Sequence, residues 1–385
     1  DNFPPFFFED PTYKELRHQK SKIDDDKYNK DWDEKKKYHN AYENIHVSSS
    51  KLRRNENIAF YIPLSRSYFK LWEIIYDFHI ISSDIQPWKS AHLAEGPGGF
   101  IEAVCKYREV NKLRRNTDKH YGITLRSTKK EIPGWNKAQY FLKQFEQVEI
   151  HYGEDDTGNL YEAKNILSFS KHVGMRSCNL VTADGGFDFS IDFNHQENLS
   201  GRLIFAEIIA SLLLLKEGGT FVCKVFDTYE RFSVEMIWIL TNCFDKVIFT
   251  KPFTSRPANS EKYVVCLGYK PVSTEIIDCF LELLNKYEED KYLQCIFPSL
   301  VFDPNFLQSI QAYNTIHTHN QLQAIKYTLC YIEQTEEQDY EKLLKDHVNT
   351  CIRWCFKYKV PINRQCKYIS YIEKKYLHFL GINKT

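Results

Sequence analysis

The sequence predicts an α/β protein with a mostly parallel sheet, one antiparallel strand near the sheet edge, and a helical C-terminal extension. Three observations point to this class. Short apolar runs alternate with helix-like segments from about Leu64 to the closing pair "KVIFTKPF" and "KYVVCLGY", an order that builds parallel strands joined by helices. A turn, Gly96-Pro97-Gly98-Gly99, follows the first apolar run and opens a helix, the layout of a nucleotide-type site at the first strand–helix crossing. After Lys270 the pattern becomes helical and aromatic.

The elements follow in order. Residues 1–55 mix both charge signs with few aliphatics, as in "KSKIDDDKYNKDWDEKKKYHN", and read as a solvated helix or an extended arm. "SRSYFKLWEIIYDF" carries apolar positions at helical spacing, "SAHLAE" is a short strand, and "FIEAVCKYR" continues beyond the glycine turn as a helix. "HYGITL" is a second strand and "NLVTADGG" a third. "GRLIFAEIIASLLLLKEGG" reads as a buried helix stopped by Gly218-Gly219. "TFVCKVFD" is the next strand and "SVEMIWILTNCF" a helix, and "TSRPANSE" joins the last two strands. The expected organisation is an arm (1–55), an α/β domain (56–270) and a helical extension (271–385) packed onto it.

The bulk numbers set bounds. The 385 residues carry no net charge, so overall charge favours no nucleic-acid partner. The longest apolar run, Leu203–Leu215, is too short for a bilayer and contains Glu207. The N-terminus lacks the basic segment and apolar core of a signal peptide. Eleven cysteines without a CxxC pair argue for a reducing, cytoplasmic setting, and the short apolar run for no membrane. His347, Cys351 and Cys355 share one helix face, with Cys366 beyond. Buried thiols on an amphipathic face explain them better than a zinc site, and no metal is expected.

Four charged residues stand where stability alone would not place them. Lys224 interrupts an apolar strand, and burying an unpaired ammonium is costly. Asp184 ends a strand beside Gly185-Gly186, at the sheet edge where ligands bind. Lys70 interrupts the aromatic run "SYFKLWEI", and Glu261 opens the last strand. Lys70 could snorkel, Glu261 could be exposed and Asp184 could be a turn residue. Taken together, two amines and two carboxylates can form one network.

In this order and spacing, Lys70, the "EGPGGF" turn, Asp184, Lys224 and Glu261 resemble the Lys-Asp-Lys-Glu tetrad and cofactor loop of the FtsJ-like ribose 2′-O-methyltransferases. "HYGITL", "ADGGFDFS", "FVCKVFDTYERFS" and "KPFTSRPANSEKYVVCLGY" are similar to segments of the mRNA cap 1 branch. The resemblance spans roughly Leu64 to Lys270 and implies a Rossmann-like methyltransferase sheet. It implies S-adenosyl-L-methionine as cofactor, held by Ser65, Glu95, Gly96, Pro97, Gly98, Gly99 and Phe100, with Asn159 and Leu160 at the adenine. It implies Lys224 as the base for a ribose hydroxyl, its pKa lowered by Lys70 and desolvation while Asp184 and Glu261 oppose the shift and orient it. For the RNA it implicates Asn198, Leu199, Ser200 and Asn259, with Lys246, Lys251, Arg256 and Lys262 nearby for phosphates and Arg53 and Arg54 as further candidates.

The expected activity is 2′-O-methylation of the first transcribed nucleotide of capped mRNA, with other capping or transcription proteins as further partners. The alternatives are ribosomal or transfer RNA as the methyl acceptor, and a non-catalytic RNA-binding subunit of a capping complex. A nicotinamide dehydrogenase is disfavoured, because the turn does not read GxGxxG. Residues 351–385 hold eight Lys/Arg against one acid, interleaved with rings, which suits an RNA-facing surface or a packed helix equally.

Overall fold

The computed structural model describes residues 5–83, 87–126, 134–186, 194–287, 293–334 and 340–372. Among them, seven strands form one sheet: β1 (Lys89–Leu93), β2 (Lys119–Ile123), β3 (Val148–His151), β4 (Cys178–Ala183), β5 (Leu215–Val225), β6 (Phe244–Thr250) and β7 (Lys262–Tyr269). Their order is β3-β2-β1-β4-β5-β7-β6. β7 runs antiparallel to both of its neighbours, and the remaining pairs are parallel.

The helices are α1 (Pro11–Lys22), α2 (Asp26–Tyr38), α3 (Ser67–Phe78), α4 (Gly99–Val110), α5 (Gln139–Gln144) and α6 (Ala163–Val173). They continue with α7 (Gln196–Leu214), α8 (Arg231–Cys243), α9 (Thr274–Lys286), α10 (Pro304–Glu333) and α11 (Tyr340–Lys357). No helix among the described residues is long and apolar enough to cross a membrane.

The central strands are buried on both faces and therefore read as apolar runs. The edge strand β3 is only four residues long and half-buried throughout, too short to show a period in the sequence. α7 ends at Leu214 rather than at the glycine pair, because Leu215 is already extended (φ −70°, ψ 135°). Gly218 and Gly219 consequently fall within the span of β5. α7 is buried on nearly every side between the sheet and α6, α8 and α9, which explains its all-round apolar sequence.

The N-terminal arm is folded and packed. Asp10 caps α1 by accepting from the Thr12 and Tyr13 amides at 2.8 and 3.3 Å, with Pro11 at the first helical position. α1 and α2 both pack on α10, and the Tyr13 ring stacks on Tyr229 at 3.7 Å. On the opposite side of the molecule α11 closes over α3, where the Trp72 indole donates to the Tyr358 carbonyl at 2.9 Å. Cys351, Cys355 and Cys366 lie buried in that second apolar cluster. Glu373, Lys374, Lys375 and Tyr376 of the expected basic surface lie outside the described residues.

Candidate active site

Topology brings three of the four charged residues to one edge. The parallel strands β4 and β5 point their C-terminal ends there. The antiparallel β7 begins there, with Lys224 registered opposite Tyr263. Asp184, Lys224 and Glu261 thus converge from three strand ends, and Lys70 joins them from α3.

They form two linked ion pairs. The Lys70 amine lies 2.8 Å from Glu261 Oε2 and 2.7 Å from Oε1. The Lys224 amine donates to the Asp184 carbonyl at 2.9 Å and lies 3.4 Å from Asp184 Oδ1. Tyr263 donates to the same Oδ1 at 2.8 Å, and Ser255 donates to Glu261 Oε1 at 2.8 Å. A Cβ on Gly186 would stand 2.8 Å from the Lys224 amine, so a side chain there would displace it.

The electrostatics correct one expectation. Burial opposes the charge on Lys224, but the Asp184, Glu261 and Glu207 carboxylates together hold its pKa above the ordinary lysine value. Burial likewise opposes the charge on Glu261, yet Lys70, Lys224 and Lys251 bring it down to about 2. Lys224 is therefore an ammonium at rest rather than a neutral base. The expected depression falls instead on Lys251, which burial and the neighbouring Lys262 and Lys70 push down to about 7 against the opposing pull of Glu261. Its amine donates to the Glu261 carbonyl at 2.6 Å, to the Asn259 carbonyl and Oδ1 at 2.9 and 2.8 Å, and to Ser255 at 3.3 Å.

α3 sets both halves of this arrangement. One turn after Lys70, Glu73 accepts from the Phe253 amide at 2.7 Å and from the Thr254 amide and hydroxyl at 2.7 and 2.6 Å. It thereby clamps the β6–β7 loop that carries Ser255, Asn259 and Glu261. Sequence reading passed over Glu73 and Ser255, which look like ordinary polar residues. It also passed over Glu207, a buried carboxyl pushed up to about 8 chiefly by desolvation, with Oε1 lacking a hydrogen-bond partner.

The glycine turn lies at the same edge. Gly98 has φ +108°, and a Cβ there would meet the Trp135 ring at 2.8 Å, so the protein itself already requires glycine here. A Cβ on Gly96 would meet the Gly134 carbonyl oxygen at 2.9 Å, and one on Gly99 would overlap the Ser65 and Ser67 hydroxyls. Ser65 is placed there by Glu102 of α4, which accepts from the Leu64 amide at 2.7 Å.

Glu95 turns inward and is buried, accepting from Thr182. Phe100 is buried against Tyr263 at 5.7 Å, and Pro97 is half-buried. Across the edge, a Cβ on Gly158 would overlap the Thr124 carbonyl, so the loop with half-buried Asn159 and buried Leu160 sits against the end of β2. These residues span the ends of β1, β2 and β3. Their main-chain amides open α4, where a ligand carboxylate is favoured, and the arrangement fits an elongated cofactor with an amino-acid end.

The RNA candidates divide. Asn259 lies on the loop beside Lys251, and Leu199 is partly exposed. Asn198 and Ser200 are buried: Asn198 donates to Glu230 at 2.6 Å and Ser200 to the Gln196 carbonyl at 2.6 Å. Lys262 pairs with Asp227 at 2.9 Å and Arg256 with Glu43 at 2.7 Å, whereas Lys246 is exposed on β6. Arg53 pairs with Glu56, and Arg54 lies over the Phe60 ring at 4.6 Å.

Comparison with known proteins gives a consistent picture. Residues 63–269 match the family described as FtsJ-like methyltransferase. The chain is 32% identical over 249 residues to "Cap-specific mRNA (nucleoside-2'-O-)-methyltransferase 1A" of Caenorhabditis briggsae, covering 60% of this chain and 27% of the relative. It is 30% identical over 247 residues to "Cap-specific mRNA (nucleoside-2'-O-)-methyltransferase 1" of Trypanosoma cruzi (strain CL Brener), covering 63% and 66%. It is 31% identical over 249 residues to "Inactive cap-specific mRNA (nucleoside-2'-O-)-methyltransferase 1B" of Caenorhabditis briggsae, covering 60% of this chain and 28% of the relative. The chain thus spans about a quarter of the two nematode relatives.

Proposed function

The chain belongs to the FtsJ-like methyltransferase family, and we propose that it transfers a methyl group from S-adenosylmethionine to the ribose 2′-oxygen of the first transcribed nucleotide of a capped mRNA. The observation that carries this reading is the meeting of the Lys70–Glu261 and Lys224–Asp184 pairs at the carboxyl edge of the sheet.

S-adenosylmethionine, when bound, supplies the methyl group on a positively charged sulfur. Ser65, the turn from Gly96 to Phe100, and the Asn159–Leu160 segment are the residues that would hold it. Asp184 fixes the Lys224 amine through its carbonyl and carboxylate, and Glu261 adds negative charge nearby. Held in this way, the amine lies where it can take the acceptor hydroxyl's proton as the methyl moves to the oxygen, and the ammonium so formed stays paired with Asp184. The amine accepts the hydroxyl proton only in its neutral form, and a second positive charge brought beside it favours that form. Lys70 neutralises Glu261 and keeps its carboxylate in place. Holding acceptor and donor in near-attack geometry supplies much of the acceleration.

The tetrad alone does not choose among RNA acceptors. The names of the relatives favour capped mRNA over ribosomal or transfer RNA. A relative named inactive is about as similar as those named enzymes, so similarity alone does not decide activity; the two ion pairs at the sheet edge support the catalytic reading, because Lys224 is costly to bury there without a use.

The test is Lys224→Ala in a methyl-transfer assay on capped RNA. Turnover should fall on the order of a hundredfold to ten-thousandfold or more, while affinity for S-adenosylhomocysteine stays near that of the parent. Lys224→Arg should recover little, because arginine holds its proton. Near-normal turnover in Lys224→Ala would overturn the reading.

A further inference from the structure

A cleft of about 360 Å³ lies between the N-terminal arm, the β6–β7 loop and α10, within the size range of small-ligand sites. Its walls include Tyr42 from the arm, Lys251, Phe253 and Asn259 from the loop, and His317 and Asn320 from α10. Tyr42, His317 and Asn320 fall outside the family match, which covers residues 63–269. The family core therefore supplies one wall, and segments particular to this chain supply the others.

Three features of the cleft suit one kind of ligand. Its aromatic wall is a stacked pair, Tyr42 on Phe253 at 5.0 Å, with Phe253 49% exposed and the exposed Lys357 amine 5.6 Å from its ring centre, a ring-and-cation surface suited to a nucleotide. Lys251 brings an amine to the cleft, and Lys262 is a second lining cation, held by Asp227. Asn320 is exposed on α10, an amide available to a base edge.

The cleft is also continuous with the tetrad. Ser255 lines it and donates to the Glu261 carboxylate at 2.8 Å, and Lys251 donates to the Glu261 carbonyl at 2.6 Å. Arg66 ties the walls together, donating to the Thr254 carbonyl at 3.1 Å and to the Tyr42 carbonyl at 2.9 Å.

We propose that this cleft holds one nucleotide of the RNA substrate, its base against Phe253 and Tyr42 and its phosphate toward Lys251. The arm and α10 then help decide which RNA is presented to the tetrad. The proposal rests on the methyltransferase reading above. The cap guanosine and a nucleotide of the RNA body carry the same base-and-phosphate chemistry, and the two probes below distinguish them.

Fluorescence polarisation on the full chain separates these outcomes, using two probes: a labelled cap dinucleotide and a labelled short uncapped oligoribonucleotide. Asn320→Trp fills the cleft and Phe253→Ala removes the platform, and neither residue belongs to the tetrad or the cofactor turn. Each should weaken binding by about tenfold or more, as loss of a base-stacking contact does. S-adenosylhomocysteine affinity, measured by calorimetry, should match the parent and so confirm the fold. Loss confined to the cap dinucleotide assigns the cleft to the cap side; loss on the uncapped probe assigns it to the body. Unchanged binding of both probes in both variants overturns the cleft while leaving the methyltransferase reading intact. A parent that binds S-adenosylhomocysteine but neither probe overturns the RNA reading and the cleft with it.

Discussion

At the scale of single residues, the charges that matter here are set by their neighbours rather than by burial alone. Lys224 and Lys251 both lose solvent, yet only Lys224 faces enough carboxylate to keep its pKa high. Lys251, down to about 7, is surrounded by Glu261, Lys262, Lys70 and Asp227, with His317 of α10 held at about 4 by burial and so neutral near pH 7. The sign follows directly. Below about pH 7 Lys251 is already charged, and RNA affinity should be flat; above it, binding a phosphate requires proton uptake, and affinity should fall as pH rises. Titrating RNA binding from about pH 6 to about pH 8.5 checks this. Lys251→Arg should flatten the profile, and a flat parent profile would contradict the assignment. Gly98→Val should destabilise the free protein, by about 1–2 kcal/mol of left-handed strain plus about 1–3 kcal/mol of overpacking against Trp135; thermal denaturation without ligand reads it. The tetrad was legible because Lys224, Asp184, Lys70 and Glu261 break local patterns. Lys251 in "TKPF" does not, since a lysine at a strand end looks like ordinary surface charge.

At the scale of elements, the β-strand pattern showed through wherever a strand was long and buried, and failed at β3, where four half-buried residues carry no period. The arm was the larger departure. Its mixed charges read as solvated, but Lys20 of α1 is buried against Asp227 at 3.3 Å, and Lys262 of β7 reaches the same carboxylate at 2.9 Å. Such a long-range partner, 207 residues away in sequence for Lys20, leaves no local trace. The two lysines hold the Asp227 carboxyl well below the usual range despite its burial. Asp227→Ala would leave two buried ammonium groups unpaired, and breaking a buried pair costs about 3–5 kcal/mol. Denaturant unfolding should show that loss, and limited proteolysis should cut within α1 first. An unchanged midpoint would mean that α1 is held by its apolar contacts alone.

At the scale of the molecule, the α/β sheet and its single antiparallel strand match the expectation drawn from strand–helix alternation. The extensions were seen only as composition. The structure shows the arm closing on the extension, α1 and α2 on α10, and α11 packing over α3 of the sheet domain, with Phe8, Tyr13, Leu16 and Trp32 sharing one apolar cluster with the sheet. A fragment limited to residues 63–269 should therefore expose that apolar surface and aggregate or melt well below the full chain; a soluble fragment of equal thermal stability would contradict this packing account. The central claim concerns chemistry, and one measurement reaches it most directly: transfer of labelled methyl from S-adenosylmethionine to matched capped and uncapped RNAs of the same sequence, followed by digestion to nucleosides. The account predicts label on the 2′-oxygen of the first transcribed nucleotide of the capped RNA, with far less on the uncapped RNA and none with Lys224→Ala. Label on a base, on internal nucleotides irrespective of the cap, or on neither RNA would contradict it.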